Sequence, residues 1–191
     1  MHGIHHYIQL NHWIHVLGSA ILERSSAGHY GKEKDMTSWL FLGTALACAL
    51  MGGVFFAFSS FIMPALGRVP AEEAIRVMKR INIDVYHWTF MGTFFVTPLA
   101  CVLSAIAGWR WSEPVALWAI AGCILYGVGN FVVTAAGNVP LNDALAAVDE
   151  NSVDAAREWA RYTGPWTRWN HVRTVASTLA AGAFITALRA M

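Results

Sequence analysis

Charged side chains are scarce in this chain: 13 Lys or Arg and 12 Asp or Glu among 191 residues, 13% of the total. That is about half of the ~25% usual in soluble domains. With 56% apolar residues and a mean hydropathy of +0.44, there is too little polar surface to coat a water-soluble fold. The net charge is +1 and no basic block occurs, which excludes the electrostatic footprint of a nucleic-acid binder. Three cysteines without CxxC spacing exclude a disulfide scaffold and the usual zinc and haem-attachment motifs. No basic segment precedes a first apolar run, so a signal peptide is not expected. No stretch alternates apolar and polar residues over a barrel-strand length, which excludes a membrane β-barrel. Nine Trp and 10 Phe exclude disorder. What remains is a small integral membrane protein whose first partner is the lipid bilayer.

The charges that are present cluster, and the gaps between clusters mark the spans. Uncharged stretches lie between Asp35 and Arg68, Asp84 and Arg110, and Glu113 and Asp143, with a shorter one between Arg173 and Arg189. A membrane-crossing helix needs about 20 apolar residues, so the expected spans are 38–63, 85–108, 115–137 and 171–189. The expected fold is all-α, a four-transmembrane-helix antiparallel bundle with interfacial helices in the connections. The first connection reads as a helix from Pro70, acidic in its first turn (Glu72, Glu73) and basic in its last (Lys79, Arg80), with Ile75 and Met78 on an apolar side. In the long second connection a helix is expected to start near Asn151 or Ser152 and to end at Thr163-Gly164-Pro165.

Residues 1–35 stand apart. They hold His2, His5, His6, His12, His15 and His29, some at helical metal-ligand spacing but without a converging carboxylate or cysteine, so no metal site is expected. The segment reads as an interfacial helix or as an extension preceding a membrane domain of residues 36–191. Cys48, Cys101 and Cys123 read as small buried apolar residues.

Up-and-down topology brings the end of span one, the start of span two, the end of span three and the start of span four to one side. That mouth collects Ser59, Ser60, Tyr86, His87, Trp88, Asn138, Asn142, Trp166, Trp169, Asn170, His171 and Arg173, with Asn130 deeper. Eight Lys or Arg flank this side and five the other, so the mouth is expected on the cytoplasmic side of an inner membrane with both termini outside. An ionisable residue such as Arg173 inside a span calls for a functional hypothesis, although it also suits snorkelling to the interface. The tryptophans suit aromatic belts, and the asparagines suit helix caps.

Two stretches carry a resemblance. Asn138-Val-Pro-Leu-Asn142-Asp143, followed by Trp166-Thr-Arg-Trp169-Asn170-His171-Val-Arg173-Thr174, resembles the signature of a family of small four-helix membrane proteins. That family is catalogued as a domain of unknown function and includes the fungal anthrone oxygenases. Gly53-Val-Phe-Phe-Ala-Phe-Ser59-Ser60-Phe-Ile-Met63-Pro64-Ala-Leu66 resembles its first helix, and the likeness runs from about Met36 to Ala190.

The resemblance implies oxidation of an anthrone-like phenolic to a quinone by O2, with no bound cofactor. His171 is then the first choice of base and His87 the second, since a neutral imidazole suits proton abstraction near pH 7. Arg173 stabilises the oxyanion with Asn138 or Asn142. Trp166, Trp169 and Trp88 stack on a small aromatic substrate, with Asn170, Tyr86, Ser59 and Ser60 completing the binding set. His171 and Arg173 differ by about 200° on a regular helix, so they need not share a face. Two rivals stand beside this reading: a haem held by His87 and His171, and a non-catalytic module that binds a lipid or quinone or serves as a small subunit of a larger complex. A homo-oligomer is compatible with all of them.

Overall fold

The computed structural model describes the backbone from residue 2 and the side chains from residue 30 to the C-terminus. The readings placed on His2, His5, His6, His12, His15 and His29 fall outside those described side chains. The chain divides into two units, Met1–Trp39 and Leu40–Met191, and the side-chain contacts given below lie within the second. Among the described residues all regular structure is helical. Helix α1 (His2–Ala57) continues through a π-helical turn at Phe58–Ile62 into a last turn at Met63–Leu66. Then come α2 (Ala71–Asp84) and α3 (Trp88–Trp109). Helix α4 starts as Glu113–Tyr126, passes through π-helical turns at Gly127–Val132 and Thr134–Asn138, and ends as Val139–Ala146. Helix α5 is Ala155–Arg189. The protein is an all-α bundle.

Three stretches, Tyr30–Leu66, Trp88–Trp109 and Glu113–Ala146, are long and apolar enough to cross a membrane. The first and third contain the stretches expected as spans at 38–63 and 115–137, and the second overlaps 85–108. Their outward residues are apolar, as with Leu46, Phe56, Phe95, Leu99, Ile106, Leu117 and Ile124, which is the inverse of a soluble surface. Helix α5 is not among them, because His171, Arg173 and several Thr and Ser residues lower the hydropathy of its C-terminal half.

Prolines account for two of the wide turns. A proline ring clashes with the carbonyl four residues earlier and removes one N–H from the helical ladder. Pro64 acts in this way on Ser60 and Pro140 on Ala136, and each of those residues lies inside a π-helical turn. The third wide turn contains Gly127 and Gly129. Insertions of this kind re-aim side chains and are frequent at functional sites.

Pro165 has a milder effect than expected. Helix α5 begins at Ala155 and runs through Thr163-Gly164-Pro165 without a break. One face carries Trp159, Tyr162, Trp166, Asn170, Arg173, Ser177, Ala180, Phe184 and Ala187, all buried, at three- or four-residue spacing. Burial along the whole face outweighs the local cost of one proline. Close approach to α4 depends on small residues: a Cβ on Gly129 would lie 2.3 Å from that of Ala176, and one on Gly122 would lie 2.8 Å from the Phe184 ring.

Two apolar clusters flank a polar layer. One contains Phe41, Met51, Phe55, Phe94, Tyr126, Ala180 and Phe184. The other contains Met63, Leu66, Ile75, Met78, Leu145, Trp159, Tyr162 and Trp166. The apolar side of α2, Ile75 and Met78, is therefore covered by protein. The flank of that face is latched to the α4–α5 connection, where Lys79 bonds the Val148 carbonyl and, at 2.9 Å, the Glu150 carboxylate, with Arg76 3.9 Å from the same group.

The Lys79 hydrogen bond, then a bond to Glu150's own backbone N–H, holds the Glu150 carboxyl below its usual range. A carboxyl lowered in the fold supports it fully above the unfolded value of about 4.3 and loses that support as pH falls through the lowered value. Amide exchange in the 147–154 connection should therefore gain an extra acceleration below about pH 4. Glu150→Gln should make exchange there fast already at neutral pH and remove the acid dependence.

Candidate functional site

The polar layer is built from two ladders. On α4, Tyr126, Asn130, Thr134, Asn138 and Asn142 recur at every fourth residue, and they face Trp166, Asn170, Arg173 and Ser177 of α5. Asn130 donates to Ser177 Oγ at 3.0 Å and Asn138 to the Trp166 carbonyl at 3.2 Å. Asn142 Oδ1 accepts from Tyr162 at 2.9 Å and from Trp166 Nε1 at 2.8 Å. Burial pushes the Tyr162 phenol up from its ordinary value, which keeps the hydroxyl protonated as a donor. The Oδ1 atoms of Asn130 and Asn138 have no partner among the described residues. Each is an acceptor held ready in a buried setting, where leaving it unmade is costly.

Arg173 lies at the centre and is only 7% exposed. One terminal nitrogen donates to Asn170 Oδ1 at 2.7 Å and the other to Thr134 Oγ1 at 3.3 Å, while Nε has no partner. The guanidinium carbon sits 4.2 Å from the centroid of the Phe55 ring and 5.3 Å from that of Trp166. Among the described residues, no carboxylate forms an ion pair with it. Asp143, the nearest acid in the motif, is exposed. Arginine stays charged in proteins, and burying an unpaired cation costs several kcal/mol. Two ring faces, each worth about 2 kcal/mol when desolvated, offset part of that. The result is a positive charge held out of water and free to interact with an anion.

Asn170 links this cation to α1. Its amide donates to the Phe55 carbonyl and to Ser59 Oγ, both at 2.7 Å. Arginine can only donate, so the oxygen of Asn170 must face Arg173, which fixes the amide orientation. Ser59, carried by the π-helical turn of α1, also lies 2.9 Å from His171 Nδ1 and 3.2 Å from Thr174 Oγ1. A hydrogen-bonded chain therefore runs from Arg173 through Asn170 and Ser59 to His171. The 200° separation on α5 is real: Arg173 points inward and His171 is exposed, and Ser59 joins the two faces.

The other expected residues lie elsewhere. Ser60 is exposed and bonds the Phe56 carbonyl of its own helix. Tyr86 and Trp88 are 73% and 76% exposed. His87 caps α3 through Nδ1, which accepts from the Thr89 N–H and lies 2.9 Å from its hydroxyl. Trp169 covers Gly137, where a Cβ would meet its ring at 2.8 Å. Thr134, Ser177, Tyr162 and Phe55 were not singled out in the sequence. The four-residue polar repeat on α4, inside an apolar span, was the signal available for Thr134. Among the described residues no three His, Cys, Asp or Glu side chains cluster as a metal site would require.

Comparison with known proteins adds a name to this geometry. Searches among curated proteins and among solved structures each gave no match. The chain matches the family described as anthrone oxygenase over residues 83–183, which contain Asn138, Asn142, Trp166, Asn170, His171 and Arg173 but not the α1 stretch around Ser59. That match spans more than half of the chain, and the protein belongs to the anthrone oxygenase family.

Proposed function

We propose that this protein oxidises an anthrone-like phenolic to a quinone with O2 at the polar mouth of its bundle. The observation that carries the reading is the hydrogen-bonded chain from His171 through Ser59 and Asn170 to a buried Arg173 that has no carboxylate partner. An anthrone carries a methylene acidified by two aryl rings and a conjugated carbonyl. Its proton passes to His171, leaving an electron-rich anion whose charge rests largely on the carbonyl oxygen. Arg173 lowers the energy of that oxyanion, and it does so more effectively in a dry setting than in water. The anion adds O2 at the former methylene carbon to give a peroxide. Taking back one proton and losing water across the C–H and O–O bonds yields the second carbonyl. One O2 is consumed and one water released, so no external reductant is required.

In this reading residues 171–189 form the fourth crossing. It is supported by their packing on α4 and by outward Val172, Val175, Leu179 and Ile185. The excess of Lys and Arg at the mouth favours the cytoplasmic face of an inner membrane, with both termini outside.

The test is direct. Membranes containing the protein should convert an anthrone to the anthraquinone with matching O2 uptake, and His171→Ala should slow this by about 10²–10⁴-fold, the range of general base catalysis. If the folded wild-type protein consumes no O2 with several anthrones, the oxygenase reading falls.

A further inference from the structure

Helices α1 and α3 meet along one seam in antiparallel register. A Cβ on Gly108 would lie 3.3 Å from the Phe41 ring. One turn along, the hydroxyls of Thr44 and Ser104 are 2.9 Å apart, and Thr44 also reaches the Ala100 carbonyl at 3.5 Å. One turn further, Cys48 and Cys101 face each other with their sulfurs 3.7 Å apart. These pairs advance by three or four residues on each helix, which is the spacing of a single face. The two sulfurs are therefore held together by the backbones that carry them, and one S–H can donate to the other.

Both thiols are free, and their residues are 0% and 1% exposed. They share an apolar cluster with Ala45, Met51 and Phe94, inside two stretches able to cross a membrane. Water-borne reagents are kept from this pair, whereas species dissolved in hydrocarbon surround its helices. Separating charge is costly in such a setting, so the chemistry open to two neighbouring thiols there is transfer of neutral hydrogen atoms. Peroxyl radicals, formed where O2 meets a carbon radical in a bilayer, are acceptors of that class.

We propose that Cys48 and Cys101 together give two hydrogen atoms to peroxyl radicals of the bilayer, and that this closes a disulfide fastening α1 to α3. The first radical takes the hydrogen of one thiol: an S–H bond breaks, an O–H bond forms, and a hydroperoxide leaves behind a thiyl radical. A second peroxyl radical takes the hydrogen of the other thiol, and the two sulfurs pair their odd electrons in an S–S bond. Two peroxyl radicals are reduced to two hydroperoxides and two thiols are oxidised to one disulfide, with no ion formed at any step. The bridge joins residues 53 apart in the chain and holds the helix that carries Phe55 and Ser59 of the polar layer. It is opened again by a thiol reductant.

The test uses the reduced full-length protein in nanodiscs of saturated phospholipid, so that radicals do not propagate through the lipid. Azobis(dimethylvaleronitrile), which releases peroxyl radicals within the bilayer in air, should link the Cys48 and Cys101 peptides. After alkylation and digestion, mass spectrometry should show them joined, lighter by two hydrogens than their sum, and separated by dithiothreitol. Cys123 should be recovered alkylated. The unfolding temperature of the treated protein should rise by about 5 °C or more, because the bridge closes a long loop. Cys48→Ala and Cys101→Ala should each abolish the link and the rise, and Cys123→Ala should keep both. The water-soluble initiator azobis(amidinopropane), at the same radical flux, should close little or none of the bridge.

Recovery of Cys48 and Cys101 both alkylated after the lipid-soluble initiator would overturn the proposal. So would their conversion to sulfonic acids without a link, or a bridge that contains Cys123. Equal linking by the two initiators would overturn it too, since the pair would then be open to water. If an alanine variant fails to fold, the linked peptide of the wild-type protein still decides.

Discussion

Replacing Arg173 with methionine should leave a folded bundle that has lost its turnover. Loss of a preorganised group for a developing oxyanion typically costs about 10²–10³ in rate. The structural consequence runs the other way. Methionine fills a similar volume, is apolar and adaptable, and removes a cation that has no carboxylate to answer it. Removing a buried charge relieves its desolvation cost of several kcal/mol, which outweighs the roughly 1–3 kcal/mol of leaving Asn170 Oδ1 without its donor. Thermal unfolding of Arg173→Met in detergent should therefore occur at or above the wild-type temperature, while O2 uptake with an anthrone falls to background. Arg173→Lys keeps the charge but loses the planar fork between the Phe55 and Trp166 rings, and an intermediate rate is expected. If Arg173→Met retains turnover within a few fold, Arg173 only shapes the mouth.

Much of this arrangement was legible in the chain, and the reasons for the remainder are physical. Gaps between charges located α1, α3 and α4 because burying charge in hydrocarbon is costly, so long uncharged stretches are informative. The same logic weakens for α5, where Arg173 is tolerated because it is solvated by protein, by Asn170, Thr134 and two rings. Pro165 suggested a helix end, but the buried stripe from Trp159 to Ala187 outweighs one lost bond. Pro64 and Pro140 go with the wide turns that carry Ser59 and Asn138, but a proline alone does not say whether a helix will kink, stop or widen. Up-and-down topology brought Asn138, Asn142, Trp166, Asn170 and Arg173 to one mouth. It could not separate them from Tyr86, His87 and Trp88, which were expected at the same level but are exposed. Nor could spacing show that Arg173 and His171, on opposite faces, are joined through a serine on another helix.

That junction makes Asn170 the position where stability and activity can be separated most cleanly. Asn170→Ala removes three hydrogen bonds at once, to Phe55, Ser59 and Arg173. It leaves a charged donor unpartnered in the core, so a loss of about 3 kcal/mol in stability is expected. Asn170→Asp keeps the shape and places a carboxylate oxygen where Oδ1 already meets Arg173 at 2.7 Å. The new ion pair offsets much of the cost of the lost donations to Phe55 and Ser59, so the aspartate variant should unfold at a higher temperature than the alanine one. Its activity should nevertheless fall by about 10²-fold or more, because the carboxylate neutralises the cation that the oxyanion needs. A role for Asn170 in packing alone predicts the opposite order, with turnover following stability and the aspartate variant the more active of the two. Wild-type O2 uptake in Asn170→Asp would show that the charge on Arg173 takes no part in the reaction.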